Sequence, residues 1–170
     1  MTEYVVLLDE AGKPIGEADK AAVHTADTPL HLAFSCFLHN DAGQVLMTRR
    51  ALGKATWPGV WTNSFCGHPA PGESFTAAIE RRAAQELGTK VVDITEILPD
   101  FRYRAIDASG VVENEICPVF SAKIDGELLP VTDEVMDFAW IEPDALTDVL
   151  RQAPFAFSPW VVEEWAQLRG

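Results

Sequence analysis

The feature that most restricts the fold is one strong amphipathic helix set in the middle of strand-forming sequence. Phe75, Ala78, Ile79, Ala83 and Leu87 recur at helical spacing between Ser74 and Leu87, and Gly88 supplies the stop. Both flanks carry the pattern of strands and tight turns. Tyr4 to Asp9 reads as a strand and Glu10-Ala11-Gly12-Lys13 as a turn, with a polar stretch following to His31. Leu32 to His39, the turn Asn40-Asp41-Ala42-Gly43 and Gln44 to Arg50 form a hairpin by their turn chemistry. Ala51 to Pro71 reads as loop-rich. Beyond the helix, Val91 to Ile106 is strand-rich with a break at Pro99, Asp107-Ala108-Ser109-Gly110 is a turn, and Val111 to Ala122 runs back. Glu134 to Ile141 is a further strand. Glu142-Pro143-Asp144 opens a short helix, and Ser158 caps a C-terminal one that has Pro159 in its first position. Hairpins mixed with helices favour an α+β fold over a doubly wound parallel sheet.

The 170 residues suit one domain; two of roughly 100–200 residues each would not fit. Repeats, low-complexity tracts and long linkers are absent from the sequence. The expectation is a single domain over residues 1–170, with the N-terminal segment 1–30 and the C-terminal helix 158–169 packed on its core. Thirteen Lys and Arg against 26 Asp and Glu leave a net charge of −13. Such a charge repels nucleic acid and anionic membranes. An anionic ligand must then be met by a local cluster of cations, with or without a metal. No apolar run approaches the roughly 20 residues of a membrane-spanning helix. Met1-Thr2-Glu3-Tyr4 has neither the basic region nor the apolar stretch of a signal peptide. The expectation is a cytoplasmic protein with no nucleic-acid or membrane partner.

Three cysteines cannot form a complete disulfide framework, and reduced thiols are the simplest reading. Cys36 and Cys117 lie in apolar strands and read as small buried hydrophobes. Cys66 lies among polar and turn-forming residues, Asn63-Ser64-Phe65-Cys66-Gly67-His68-Pro69, where a thiol can meet a ligand. His68 follows it by two, a spacing that puts both side chains on one face of an extended chain. The same spacing puts Glu113 and Glu115 on one face of their strand. His24 and His31 flank the loop between them, while His39 ends a strand beside a turn and reads as a surface residue. The two carboxylates alone would be a solvated strand edge. Beside three histidines they also fit a metal site of mixed imidazole and carboxylate ligands.

The central helix carries a second pattern. Gly67, Glu73, Arg81 and Glu86-Leu87-Gly88 fit the spacing of the Nudix box, whose helix carries carboxylates that bind Mg²⁺ on a diphosphate. Arg82 and Gln85 stand where a Nudix hydrolase has Glu. Hydrolysis needs several carboxylates to hold metal and activate water, and this helix keeps Glu86 alone of that cluster. With those carboxylates missing, a metal-bound diphosphate stays open as a reading and its hydrolysis is not favoured. The plain alternative is an ordinary amphipathic helix with Glu86 facing water.

Taken together, His24, His31, Cys66-Gly67-His68 and Glu113-Asn114-Glu115 resemble the type 1 isopentenyl-diphosphate isomerases, which adopt a Nudix-like fold. Thr62 to Pro69 resembles the catalytic cysteine motif of that family, and Leu30-His31-Leu32-Ala33-Phe34-Ser35 its histidine and the strand after it. Arg49-Arg50, Lys54 and Trp57 to Asn63 resemble its approach to the active site. Matching stretches run from about Tyr4 to Trp165.

The resemblance implies a Nudix-like mixed β-sheet core flanked by helices. It implies reversible conversion of isopentenyl to dimethylallyl diphosphate in isoprenoid biosynthesis, a 1,3-shift of a proton across an unactivated alkene. Such a reaction needs an acid, a base on the opposite face, exclusion of water and a π-face for the carbocation. By resemblance, Cys66 and Glu115 are the acid–base pair, with Tyr103 hydrogen-bonding near the glutamate and Trp160 covering the alkyl end. His24, His31, His68, Glu113 and Glu115 match the ligands of a divalent metal: Mn²⁺, Mg²⁺ or Zn²⁺. Lys20, Arg50 and Lys54 match the phosphate contacts, with Arg82 assisting, and Glu86 matches the ligand of a Mg²⁺ held with the diphosphate. The partner is then a small allylic or homoallylic diphosphate, and the protein a monomer or weak homodimer. Two other readings compete: a Nudix hydrolase of nucleoside diphosphate derivatives, and a silent module that binds metal or diphosphate.

Overall fold

A computed structural model describes residues 1–170. Its strands are β1 (Tyr4–Leu8), β2 (Pro14–Asp19), β3 (His31–Leu32), β4 (Phe34–His39), β5 (Val45–Arg50), β6 (Trp61–Thr62), β7 (Phe65–Gly67), β8 (Lys90–Leu98), β9 (Arg102–Ile106), β10 (Val112–Ile116), β11 (Val119–Asp125) and β12 (Val135–Ile141). Its helices are α1 (Phe75–Leu87), α2 (Pro143–Gln152) and α3 (Pro159–Arg169), with a 3-10 turn at Pro154–Ala156. The strands form two mixed sheets, and the α+β class expected from the sequence holds. One sheet runs β2-β1-β3-β10-β9. The other runs β12-β5-β4-β11-β8, with β6 paired to β5 and β7 to β4.

Four sequence expectations need correction. Leu32 to His39 is not one strand but two: Ala33 separates β3 from β4, and each lies in a different sheet. Val111 to Ala122 divides in the same way at Cys117-Pro118, into β10 and β11. The two breaks are coupled, because β3 pairs parallel with β10 and β4 parallel with β11. Ala33 N–H donates to Ile116 O and Ser35 N–H to Pro118 O, so the ladder bridges the gap between the sheets. The polar stretch before His31 contains β2, an exposed edge strand with no apolar face to announce it. The loop-rich region holds β6 and β7, two- and three-residue strands too short to show a period.

β4 is apolar on both faces and covered on both. Phe34, Cys36 and Leu38 pack in one cluster with Ala78, Ile79, Ala83 and Leu87 of α1. Phe37, on the other face, packs with Val161 and Trp165 of α3 and Leu146 of α2. Truncating a fully enclosed residue such as Ile79 or Leu87 to alanine would cost about 2–5 kcal/mol. The Ser74 hydroxyl accepts from Ala77 N–H at the start of α1, and Gly88 ends the helix in the left-handed region at φ 59°. Gly67 is required by close approach. A Cβ there would lie 2.6 Å from Arg82 Cγ and 2.8 Å from a Phe34 ring carbon, so any side chain would push α1 away from β7.

Candidate active site

Strand register brings most of the chemistry-bearing residues together. Glu115 on β10 lies opposite His31 on β3 and Tyr103 on β9. Glu113 and Glu115 are both buried on the same side of β10. Val112 N–H donates to Thr25 O, and the Asn114 side-chain amide to Thr28 O. Those bonds pin the loop after β2 and bring His24 over the strand. In the second sheet, Cys66 on β7 lies opposite Ser35 on β4, and His68 follows at the end of β7.

Three imidazoles converge on Glu115. Its Oε1 lies 3.1 Å from His68 Nε2, 3.3 Å from His31 Nε2 and 4.0 Å from His24 Nε2. His24 Nε2 lies 2.9 Å from Glu113 Oε2. The rings stand 5.1–5.7 Å apart, centre to centre. His31 Nδ1 donates to the carbonyl of Pro29, which can only accept, so Nε2 presents its lone pair when the ring is neutral. His24 Nε2, His31 Nε2 and Glu113 Oε2 are buried without a hydrogen bond of acceptable geometry. Lone pairs crowded round a carboxylate oxygen repel one another unless a proton or a cation sits among them. The donor atoms of His24, His31, His68 and Glu115 all lie within 4.8 Å of one another, and this chemistry fits a divalent cation.

Burial and the two carboxylates shift the histidines in opposite directions. Burial alone would lower the His24 pKa, but contacts with Glu113 and Glu115 outweigh it and carry it to about 9. Burial brings His68 down to about 4 despite Glu115 beside it. Of the two carboxylates, burial and the charge of Glu115 hold Glu113 above its ordinary range. Glu115 is buried as well, yet the three histidines hold it well below. Thr56 hydroxyl donates to Glu113 Oε1 at 3.0 Å, and Tyr103 hydroxyl to Glu115 Oε2 at 3.2 Å.

A cavity of about 420 Å³ opens on this group. Cys66, Glu113, Glu115, His24 and His68 line it, with Tyr103 and Trp160. His31 lies behind the lining, with no exposure at all. Burial pushes the Cys66 thiol up, so it is held as S–H. The Trp160 indole, at the start of α3, is 3 % exposed, serving both core and cavity wall. Trp57 stands edge-on to it at 5.3 Å, and the Arg50 guanidinium lies 5.4 Å from its centre.

Lys20, Arg50, Lys54, Arg82 and Glu86 line the same cavity. Lys54 Nζ meets Glu134 Oε2 at 2.5 Å, and Lys20 meets Glu3 at 3.0 Å. Arg82 pairs with Glu86 at 2.7 Å, one helical turn away, and reaches Glu134 at 3.9 Å. Burial raises Glu86 above its usual range in spite of Arg82. Arg50 is held from behind, its guanidinium donating to the carbonyls of Thr56 and Trp57. Every site residue named from the sequence thus belongs to this cavity or directly backs it.

Four residues were not singled out. Asn63, fully buried, donates to Ser35 Oγ at 2.7 Å and accepts from Trp160 Nε1–H at 3.1 Å and from the Cys66 thiol at 3.4 Å. Its place in the cysteine motif was the available signal. Ser35 likewise ends the motif Leu30 to Ser35, while Glu134 and Glu164 gave no signal, because nothing in the order of residues distinguishes them from ordinary loop and helix positions.

The NUDIX domain family matches residues 29–161. The chain is 64 % identical over 167 residues to a Paenarthrobacter aurescens (strain TC1) protein named isopentenyl-diphosphate Delta-isomerase, covering 98 % of this chain and 91 % of the relative. A protein of the same name from Klebsiella pneumoniae (strain 342) is 54 % identical over 162 residues, covering 95 % and 88 %. Among solved structures, DR0079 from Deinococcus radiodurans superimposes with a TM-score of 0.74 at 19 % identity, over 99 % of this chain and 100 % of that one. A MutT NUDIX hydrolase from Burkholderia pseudomallei gives 0.62 at 20 %, over 83 % and 98 %. At those identities the likeness concerns the fold alone.

Proposed function

The chain belongs to the NUDIX domain family and, within it, to the isopentenyl-diphosphate Delta-isomerases, and from that premise we propose that the cavity lined by Cys66 and Glu115 is where it works. The enzyme interconverts isopentenyl and dimethylallyl diphosphate, moving a double bond along a five-carbon chain. The observation that carries the site assignment is that a thiol, a carboxylate and an indole face one cavity.

One of Cys66 and Glu115 adds a proton to C4 of isopentenyl diphosphate, and the other removes one from C2. The reverse reaction exchanges their tasks. The positive charge that develops at C3 lies against the face of Trp160. Tyr103 hydroxyl donates to Glu115 and fixes the carboxylate that must give or take the proton. Trp160 and Tyr103 supply the aromatic part of the lining, on the side where water would otherwise quench the cation. His24, His31, His68, Glu113 and Glu115 would hold a divalent metal, Mn²⁺, Mg²⁺ or Zn²⁺. When bound, such a metal supplies charge that orients Glu115 and shifts its proton affinity. Lys20, Arg50, Lys54 and Arg82 receive the diphosphate, and Glu86 would hold the Mg²⁺ that accompanies it. Arg50 offers a planar fork and the lysines mobile point charges.

The proposal includes a single functional domain over residues 1–170, acting in the cytoplasm as a monomer or weak homodimer, without nucleic-acid or membrane partners. The charge of −13 supports the last point. No helix is long and apolar enough to cross a membrane. The test is an assay with isopentenyl diphosphate and Mg²⁺, with and without chelator, read by proton exchange at C2. Cys66→Ala and Glu115→Gln should each lower turnover by about 10³-fold or more with the fold intact. Near-normal turnover in Cys66→Ala would sink the assignment.

A further inference from the structure

α3 carries a carboxyl that the reaction as described leaves unused. Glu164 is fully enclosed and has no cationic partner. Its one hydrogen bond comes from the Ser35 hydroxyl, which donates to Oε2 at 2.9 Å, while Oε1 has no partner. Burying a carboxyl with so little compensation is costly, and an apolar residue of the same size would fill the space without that cost.

Ser35 connects this carboxyl to the reaction. It sits on β4 directly across from Cys66 on β7. A serine hydroxyl rotates until a partner fixes it. With its proton committed to Glu164, the Ser35 oxygen can only accept. It accepts from the Asn63 amide at 2.7 Å and lies 3.7 Å from the Cys66 sulfur, one of two acceptors the S–H can reach, the other being Asn63 Oδ1 at 3.4 Å. Were the hydroxyl free to turn, its proton would compete for the sulfur, and the thiol would keep only Asn63 Oδ1 of its two fixed acceptors. Burial holds the Glu164 carboxyl protonated well above the usual carboxylate range, so no ionic charge is set beside the thiol.

We infer that Glu164 is a positioning residue for the isomerase reaction: acting through Ser35, it fixes the orientation of the Cys66 thiol from behind. The inference rests on the reading of Cys66 as a reacting group. Neither Glu164 nor Ser35 lines the cavity, so their action is indirect.

The experiment is steady-state kinetics on Glu164→Gln, Glu164→Leu, Ser35→Ala and the Leu/Ala double variant, with a melting curve for each. Glutamine keeps an acceptor oxygen for Ser35, so Glu164→Gln should hold kcat within about twofold. Leucine removes the acceptor, and kcat should fall roughly tenfold with KM unchanged, because the diphosphate contacts are untouched. Ser35→Ala should lose a similar factor. The double variant should fall no further, because both changes cut one link. A merely structural role would lower the melting temperature without this split between kcat and KM and without rescue by glutamine. Wild-type kcat in Glu164→Leu, or losses that multiply in the double variant, would overturn the inference. If Glu164→Leu does not fold, Ser35→Ala settles the matter: a lowered kcat at constant KM supports the link, and wild-type kcat ends it. Cys66→Ala separates the two levels. If it is active, the site assignment fails. If it is dead while Glu164→Leu and Ser35→Ala are normal, only the positioning role fails.

Discussion

His31, Glu115 and Tyr103 lie side by side on three paired strands, each placed by backbone register. Lys20, Lys54 and Arg82 reach the same cavity from a turn, a loop and a helix, on long side chains held by Glu3, Glu134 and Glu86. The first group is shaped before any ligand arrives. The second keeps its cations paired with carboxylates, which a diphosphate bound as proposed would have to displace or share. Proton transfer to carbon tolerates little misplacement, whereas attraction of a doubly charged anion acts over several ångströms. On the proposed assignment, the contrast in construction would follow the contrast in task.

The largest effect expected from breaking this comparison lies in the strand-borne group. His31→Gln should lower divalent-metal affinity by about 100-fold or more, measured by elemental analysis after dialysis, with a fall in kcat. A full metal load in that variant would show that the histidine cluster is not the preformed unit described here. A smaller effect of a different kind is expected in the cation group. Lys54→Ala should raise KM for isopentenyl diphosphate about tenfold and change kcat little, since a hydrogen bond to a charged group is worth about 1.5–3 kcal/mol. An unchanged KM would mean that the lysine serves Glu134 alone.

The smallest effect is on stability, and its sign should differ between two carboxyls. Burial raises the Glu164 pKa far above its unfolded value of 4.5. The folded state therefore retains a proton that the unfolded state has lost, and stability declines as pH rises above 4.5. Glu164→Gln should remove that decline and raise the melting temperature at pH 8 relative to wild type. About 1 kcal/mol moves the midpoint by about 2–4 °C in a protein of this size. Glu134 is also partly buried, but Lys54 and Arg82 hold it below 4.5. Its contribution is present above 4.5 and is lost as pH falls through the folded value, so Glu134→Gln should flatten the acid side instead.

Much of this was legible in one dimension, for physical reasons. α1 announced itself through a buried stripe, a serine cap and a left-handed glycine. Glu113 and Glu115 were placed on one side of a strand by a period of two, and they share one side. β2 escaped because a strand exposed along its length has no alternation to read. The division of the two long apolar runs escaped because hydrophobicity continues through Ala33 and Cys117 while the backbone changes sheet. The cations were named only through resemblance, since a lysine on a loop looks the same in sequence whether it faces open water or lines a cavity. Asn63 lay inside a motif already picked out, but its role depends on what lies across the sheet. Glu164 follows Glu163 on α3, and only packing separates the enclosed carboxyl from its neighbour.

The gap between the sheets has a mechanical meaning. β3 supplies only two residues, and one of them is His31, whose partner across the ladder is Glu115. That rung lies next to the seam between the sheets, where Ala33 N–H donates to Ile116 O and Ser35 N–H to Pro118 O. Slippage at that seam would shift the neighbouring rung, and on the proposed assignment it would be felt as lost turnover.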